Sequence, residues 1–141
     1  MKILFKNQGR ILVIAAIINL MFALAALISP AFFFSQFFKY APDPRSTFPY
    51  VAMYHYLFWA VVLVMGIAFL MAAADSIKNK IVFFIGAMSK LVVAAFCVML
   101  FVQGHGKWLM LATAITEGFL GLLMLYLYFG SHSSTKDNPA N

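Results

Sequence analysis

Four polar side chains interrupt long apolar stretches of this sequence, and each is of a type that could do chemistry: Asn19, His55, Lys90 and Glu117. A lysine and a carboxylate surrounded by hydrocarbon could relay a proton or hold a charged ligand, because ionisable groups inside a membrane are functional candidates by default. They could equally be a structural lock that fixes which helix faces meet. His55 lies within Tyr54-His55-Tyr56 and could titrate or ligate. It also fits, with Tyr50, an interfacial belt in which amphipathic rings keep one polar end wet. Asn19 is suited to an interhelical hydrogen bond or to a ligand contact. Cys97, the single cysteine, permits no intrachain disulfide and reads as a small hydrophobe in an apolar helix. No Gly-rich phosphate loop, GxSxG elbow, HExxH or HxxxH pair or carboxylate-rich ion site is present. Catalytic residues, a metal and a cofactor are therefore not expected, and an enzyme reading has no mechanism.

The segments that must position these residues follow from composition. The chain is 65% hydrophobic and 10% charged, with a mean hydropathy of +0.94, far from the balance of a soluble globular domain. A bilayer core about 30 Å thick needs around 20 apolar residues per helix. Four runs satisfy that requirement, at 11–29, 50–74, 81–102 and 108–130. The first has no ionisable group and only Asn19 as a strongly polar residue, the second has His55, the third Lys90 and the fourth Glu117. Lys90 and Glu117 each lie nine residues into their runs, or about 13 Å at 1.5 Å per residue. Antiparallel helices enter from opposite sides, so both depths converge near the midplane. An unpaired charge there costs at least about 2.5–3.5 kcal/mol, and a Lys90–Glu117 pair is predicted. Gly86, Lys90, Val93 and Cys97 form one stripe of the third helix and Thr113, Glu117 and Gly121 one stripe of the fourth. The small residues, like Ala68 and Ala72 on the second, suit close helix packing.

The expected fold is all-α, an integral membrane four-helix bundle over residues 1–130 followed by a disordered polar tail at 131–141. Short connections at 75–80 and 103–107 predict that the second, third and fourth helices are sequential antiparallel neighbours. Pro42, Pro44 and Pro49 keep 41–49 from being helical. Earlier in the same 30–49 loop, Phe33, Phe34, Phe37 and Phe38 share one helical face and Ser35, Gln36 and Lys39 the other. This describes a short interfacial helix or a plain aromatic belt. Six lysines and arginines flank one side (Lys2, Lys6, Arg10, Lys78, Lys80, Lys136) and three the other (Lys39, Arg45, Lys107), which puts both termini in the cytoplasm. A basic start, an apolar run and Ser29-Pro30-Ala31 also resemble a cleavable signal peptide, although the run exceeds the usual length.

The layout resembles the DoxX-like class of small four-helix bacterial membrane proteins over about residues 10–130. The resemblance rests on Arg10 before the first helix, Ser29-Pro30 after it, the Met71-Ala-Ala-Ala-Asp75 exit, Gly86-Ala-Met-Ser-Lys90 and Glu117. It implies a compact bundle, sometimes an accessory subunit of a membrane oxidoreductase system, and carries no site residues across. The leading functional expectation is a noncatalytic subunit or assembly partner in a bacterial inner membrane, contacting lipid and another membrane protein or a second copy. The charge of +6 is dispersed between apolar runs, so nucleic acid is not an expected partner. Two alternatives stand beside it. One is a proton-coupled carrier lined by Lys90, Glu117, Asn19 and His55; the other is a membrane enzyme acting on a lipid or quinone through His55 or Glu117.

Overall fold

A computed structural model of the chain describes residues 7–39, 49–76 and 78–133. They form five helices: α1 (Gln8–Ile28), α2 (Pro30–Phe37), α3 (Pro49–Ala74), α4 (Lys80–Val102) and α5 (Trp108–Ser133). Four of these, all but α2, are long and apolar enough to cross a membrane. The long helices begin and end within three residues of the expected runs. Pro49 opens α3, where its missing N–H is one of the unpaired donors of a first helical turn. At the other end, α5 runs to Ser133, three residues into the segment expected to be disordered; the rest of that tail, and the prolines at 42 and 44, lie outside the described residues.

Two helix pairs make up the bundle. The extensive contacts are α1 with α3 and α4 with α5, whereas α3 and α4 approach over only a short stretch. This corrects the expectation that the second and third spanning helices would be close neighbours. Small residues allow the close approach within each pair, as expected where packing joins the helices. A Cβ on Gly66 of α3 would meet Leu20 Cγ of α1 at 3.0 Å. One on Gly121 of α5 would meet Leu91 Cγ of α4 at 2.9 Å and the Ala87 carbonyl oxygen at 3.2 Å. The pairs join in the half of the bundle that holds the α3–α4 turn, where Leu12, Ala15, Ala16, Phe69, Ala72, Phe83, Ala87 and Met124 form the main core. Outside, the helices present large apolar side chains such as Ile28, Met71, Val102 and Phe129, all at least 60% exposed. A hydrocarbon solvent suits that surface and water does not.

At the opposite end, Ser29 leaves helical geometry (φ −134°, ψ 73°) because the residue before a proline is disfavoured there, and Pro30 starts α2. Its faces are those expected: Phe33 and Phe37 are buried, Phe34 and Phe38 half-buried, and Ser35, Gln36 and Lys39 exposed. The buried rings do more than line an interface. They pack with Ala26 and Met110 into a second core, with Trp59 and Phe22 against it. Two backbone bonds fasten α2 to the α4–α5 turn, Lys39 N–H to the His105 carbonyl at 3.0 Å and Lys107 N–H to the Phe37 carbonyl at 2.8 Å. Gly104, at φ +81°, makes that turn possible. The α3–α4 turn is held by Asp75, whose carboxylate accepts from the Lys78 backbone N–H and faces its ammonium, each at 3.2 Å. First the backbone bond and then the side-chain bond from Lys78 hold the Asp75 carboxyl below the usual carboxylate range.

If Gly121 sets the α4–α5 distance, Gly121→Ala overpacks that seam and costs about 1–3 kcal/mol. On the same helix a Cβ at Gly118 meets only Ala94 Cβ at 3.7 Å, so Gly118→Ala leaves stability within about 0.5 kcal/mol. Unfolding of both variants in detergent, followed by circular dichroism, checks the contrast.

Candidate functional site

The expected ion pair forms. Lys90 Nζ donates to Glu117 Oε2 at 2.7 Å and also to Asn19 Oδ1 at 3.1 Å. Lys90 retains 2% of its exposure and Glu117 7%. Helical depth brings the two ions to one level, and the close α4–α5 seam brings their side chains together. Asn19 adds the link that residue spacing leaves open: it sits on α1, so the lysine ties one helix pair to the other. A buried ammonium with two oxygen partners and a carboxylate with a charge-assisted bond meet the condition under which buried charges persist.

Beside this polar trio lies a cavity of about 570 Å³, within the span typical of small-molecule sites. Its existence follows from the pairing of the helices. Because α3 and α4 meet near Phe69 and Gly86 and diverge beyond, their halves away from the α3–α4 turn leave a gap. Phe58, Val61, Met88, Val92 and Phe96 line both the cavity and its open side, and are 46–57% exposed. The entrance is therefore lateral, facing the same surroundings as the apolar exterior. Phe33 and Phe37 of α2 and Phe38 just after it form the roof, with Phe22 and Trp59 also lining the cavity. Phe33 stacks on Phe37 at 4.6 Å between centroids and meets Trp59 edge-on at 4.7 Å. Apart from Asn19, Lys90 and Glu117, the polar lining residues are Ser89 and Thr113. Both hydroxyls donate to their own helix, Ser89 to the Gly86 carbonyl at 2.9 Å and Thr113 to the Leu109 carbonyl at 2.9 Å.

Three of the four candidate residues thus come together and His55 does not. It is absent from the cavity lining, and its ring is 7% exposed, with Nε2 3.0 Å from the Ala26 carbonyl oxygen. The expectation of a wet belt residue is corrected here. The histidine closes the α1–α3 seam, its ring donating to a carbonyl near the C-terminal end of α1 while Phe34 and Tyr56 pack around it at 4.9 and 5.4 Å. Tyr54, 65% exposed, keeps the belt character. His105 is exposed in the α4–α5 turn, and among the described residues no group of three or more His, Cys, Asp or Glu side chains could hold a metal ion. Cys97 is half-buried and lines the cavity. Sequence reasoning finds the ionic centre but misses the aromatic roof and the lateral entrance, since both depend on which helices pair. No family model, no characterised protein and no solved structure matches the chain.

A trio with one positive and one negative group, set in an apolar chamber, can bind and orient a molecule; among the described residues no further acid or base lines the cavity beside it. Removing one ion leaves the other buried and unpaired, so Lys90→Met or Glu117→Leu alone destabilises by about 3–5 kcal/mol. Combining the two restores most of that loss. A thermodynamic cycle over the two single variants and the double variant, measured by unfolding in mixed micelles, gives the coupling; additive losses would contradict it.

Proposed function

We propose that this chain is a noncatalytic integral membrane subunit that binds a lipid-soluble small molecule, taken from the bilayer, between its two helix pairs. The observation that carries the reading is the lateral cavity with Lys90, Glu117 and Asn19 on its wall. A hydrocarbon-facing entrance admits a ligand already dissolved in lipid, and aromatic walls bury its apolar body. Positive charge on the flanks at Arg10, Lys78 and Lys80 supports insertion with both termini in the cytoplasm, and a bacterial inner membrane is the setting we propose. The DoxX-like resemblance supports an accessory role in a membrane complex.

The same geometry counts against the alternatives. A proton-coupled carrier needs polar groups leading from Lys90 and Glu117 to both faces, yet the lining towards α2 is aromatic and His55 lies elsewhere. An enzyme acting through His55 would need that ring in the cavity.

Native mass spectrometry of the protein extracted from its own host in mild detergent tests the proposal. A stoichiometric small molecule is the expected adduct, lost in Val93→Trp, which fills the cavity while leaving the ionic trio. Wild-type protein that carries no adduct, in spectra that preserve other membrane protein–lipid complexes, would count against the binding reading.

A further inference from the structure

We infer that the molecule held in this cavity is an uncharged amphiphile whose polar end is a hydroxyl group, donating to Glu117 and accepting from Asn19 or Lys90; the inference rests on the cavity being a ligand site. Charge is the first reason. Lys90 and Glu117 neutralise one another at 2.7 Å. An anionic or cationic headgroup entering beside them would leave one uncompensated charge deep in the apolar interior, where ions are expensive. A neutral head leaves the balance intact.

Unused hydrogen-bonding capacity is the second reason, and it selects among neutral heads. An ammonium has three N–H donors, and those of Lys90 reach two acceptors, Glu117 Oε2 and Asn19 Oδ1. The amide of Asn19 keeps an NH2 group with no acceptor among the described residues. Glu117 engages Lys90 through Oε2, and its Oε1 has no donor among the described residues. No fully buried side-chain nitrogen or oxygen lacks a partner there, so Oε1 retains accessible surface, and the opening next to it is the cavity that Glu117 lines. The wall thus offers an ionised acceptor and N–H donors on either side of one ammonium. An ester, ketone or ether oxygen only accepts, and a quaternary ammonium neither accepts nor donates. A hydroxyl does both, and with its carbon chain against Phe22, Trp59 and Phe96 it leaves no part of the wall unmatched. A site built to hydrogen-bond a hydroxyl discriminates against the analogue that lacks the proton, because its polar groups are then left unpaired.

Cys97 supplies the readout, as the single cysteine of the chain and a lining residue of the cavity. The full chain in phosphatidylcholine nanodiscs is alkylated with N-ethylmaleimide while one of three probes is titrated into the bilayer: hexadecanol, hexadecyl methyl ether or hexadecyltrimethylammonium. Hexadecanol is expected to slow alkylation saturably, with a half-effect at a membrane mole fraction about tenfold or more below that of the ether, the span of one hydrogen bond to a charged group. The ammonium probe is expected to protect no better than the ether. In Lys90→Met combined with Glu117→Leu, the alcohol's advantage over the ether should shrink to about twofold or less while both still protect through the apolar walls; in Asn19→Leu, which removes a donor open to both oxygens, both probes should weaken while the advantage persists. Equal protection by alcohol and ether in the wild type, or stronger protection by the ammonium, overturns the hydroxyl assignment and leaves the binding reading standing. Failure of all three probes to slow alkylation overturns the binding reading, and the assignment with it.

Discussion

The structure hangs on one buried ammonium. Lys90 sits deep in an apolar helix, where it must either be neutralised or be partnered, and the fold partners it twice, with Glu117 on the adjacent helix and Asn19 on the opposite pair. Packing of small residues supplies the contact within each pair, but between the pairs helices α3 and α4 scarcely touch outside the core around Phe69. Beyond that core the pairs are joined by the Lys90–Asn19 bond and, under α2, by the second core around Ala26, Phe33 and Met110. Buried ion pairs often add little net stability, and their attested value is in specifying which surfaces meet. That role suits a bundle whose exterior is apolar all round and whose seams are otherwise similar.

A cavity follows from the same arrangement. Two tightly packed pairs, joined at one end by the main core, bridged midway by a polar trio and closed at the other end by the second core under α2, leave a gap between the far halves of α3 and α4. Helix α2 roofs that space without filling it, since its backbone bonds to the α4–α5 turn hold Phe33 and Phe37 at the top. An apolar chamber with ions on its wall is costly if nothing uses the residual hydrogen-bonding groups, and a lipid-soluble hydroxyl compound would use them. Fold, ionic lock and cavity are thus parts of one arrangement rather than separate features.

Much of this was legible before any coordinates. Hydropathy locates the four long helices to within three residues because each is an uninterrupted apolar run, and the matched positions of Lys90 and Glu117 in their runs announce their meeting because neither ion tolerates apolar surroundings alone. The face of α2 was readable from the spacing of its phenylalanines. What spacing could not supply was helix pairing. Short loops point to α3 beside α4, yet connection length restrains only helix ends, and α3 packs along α1 instead, with Gly66 against Leu20. The place of His55 is hidden in the sequence for the same reason. In a linear stretch of tyrosines it looks interfacial, whereas the close α1–α3 seam presents it with the Ala26 carbonyl. The cavity, which exists only because α3 and α4 diverge, had no signal in the sequence.

A crystal structure grown in a monoolein mesophase would test the central claim most directly, since monoolein is itself an uncharged amphiphile with a hydroxylated head. The expected result is elongated density entering between α3 and α4, with a hydroxyl oxygen within hydrogen-bonding distance of Glu117 Oε1 and the Lys90–Asn19 bond intact. Halves of α3 and α4 away from their turn packed directly together, or Lys90 turned away from Asn19 with the two helix pairs apart, would contradict it.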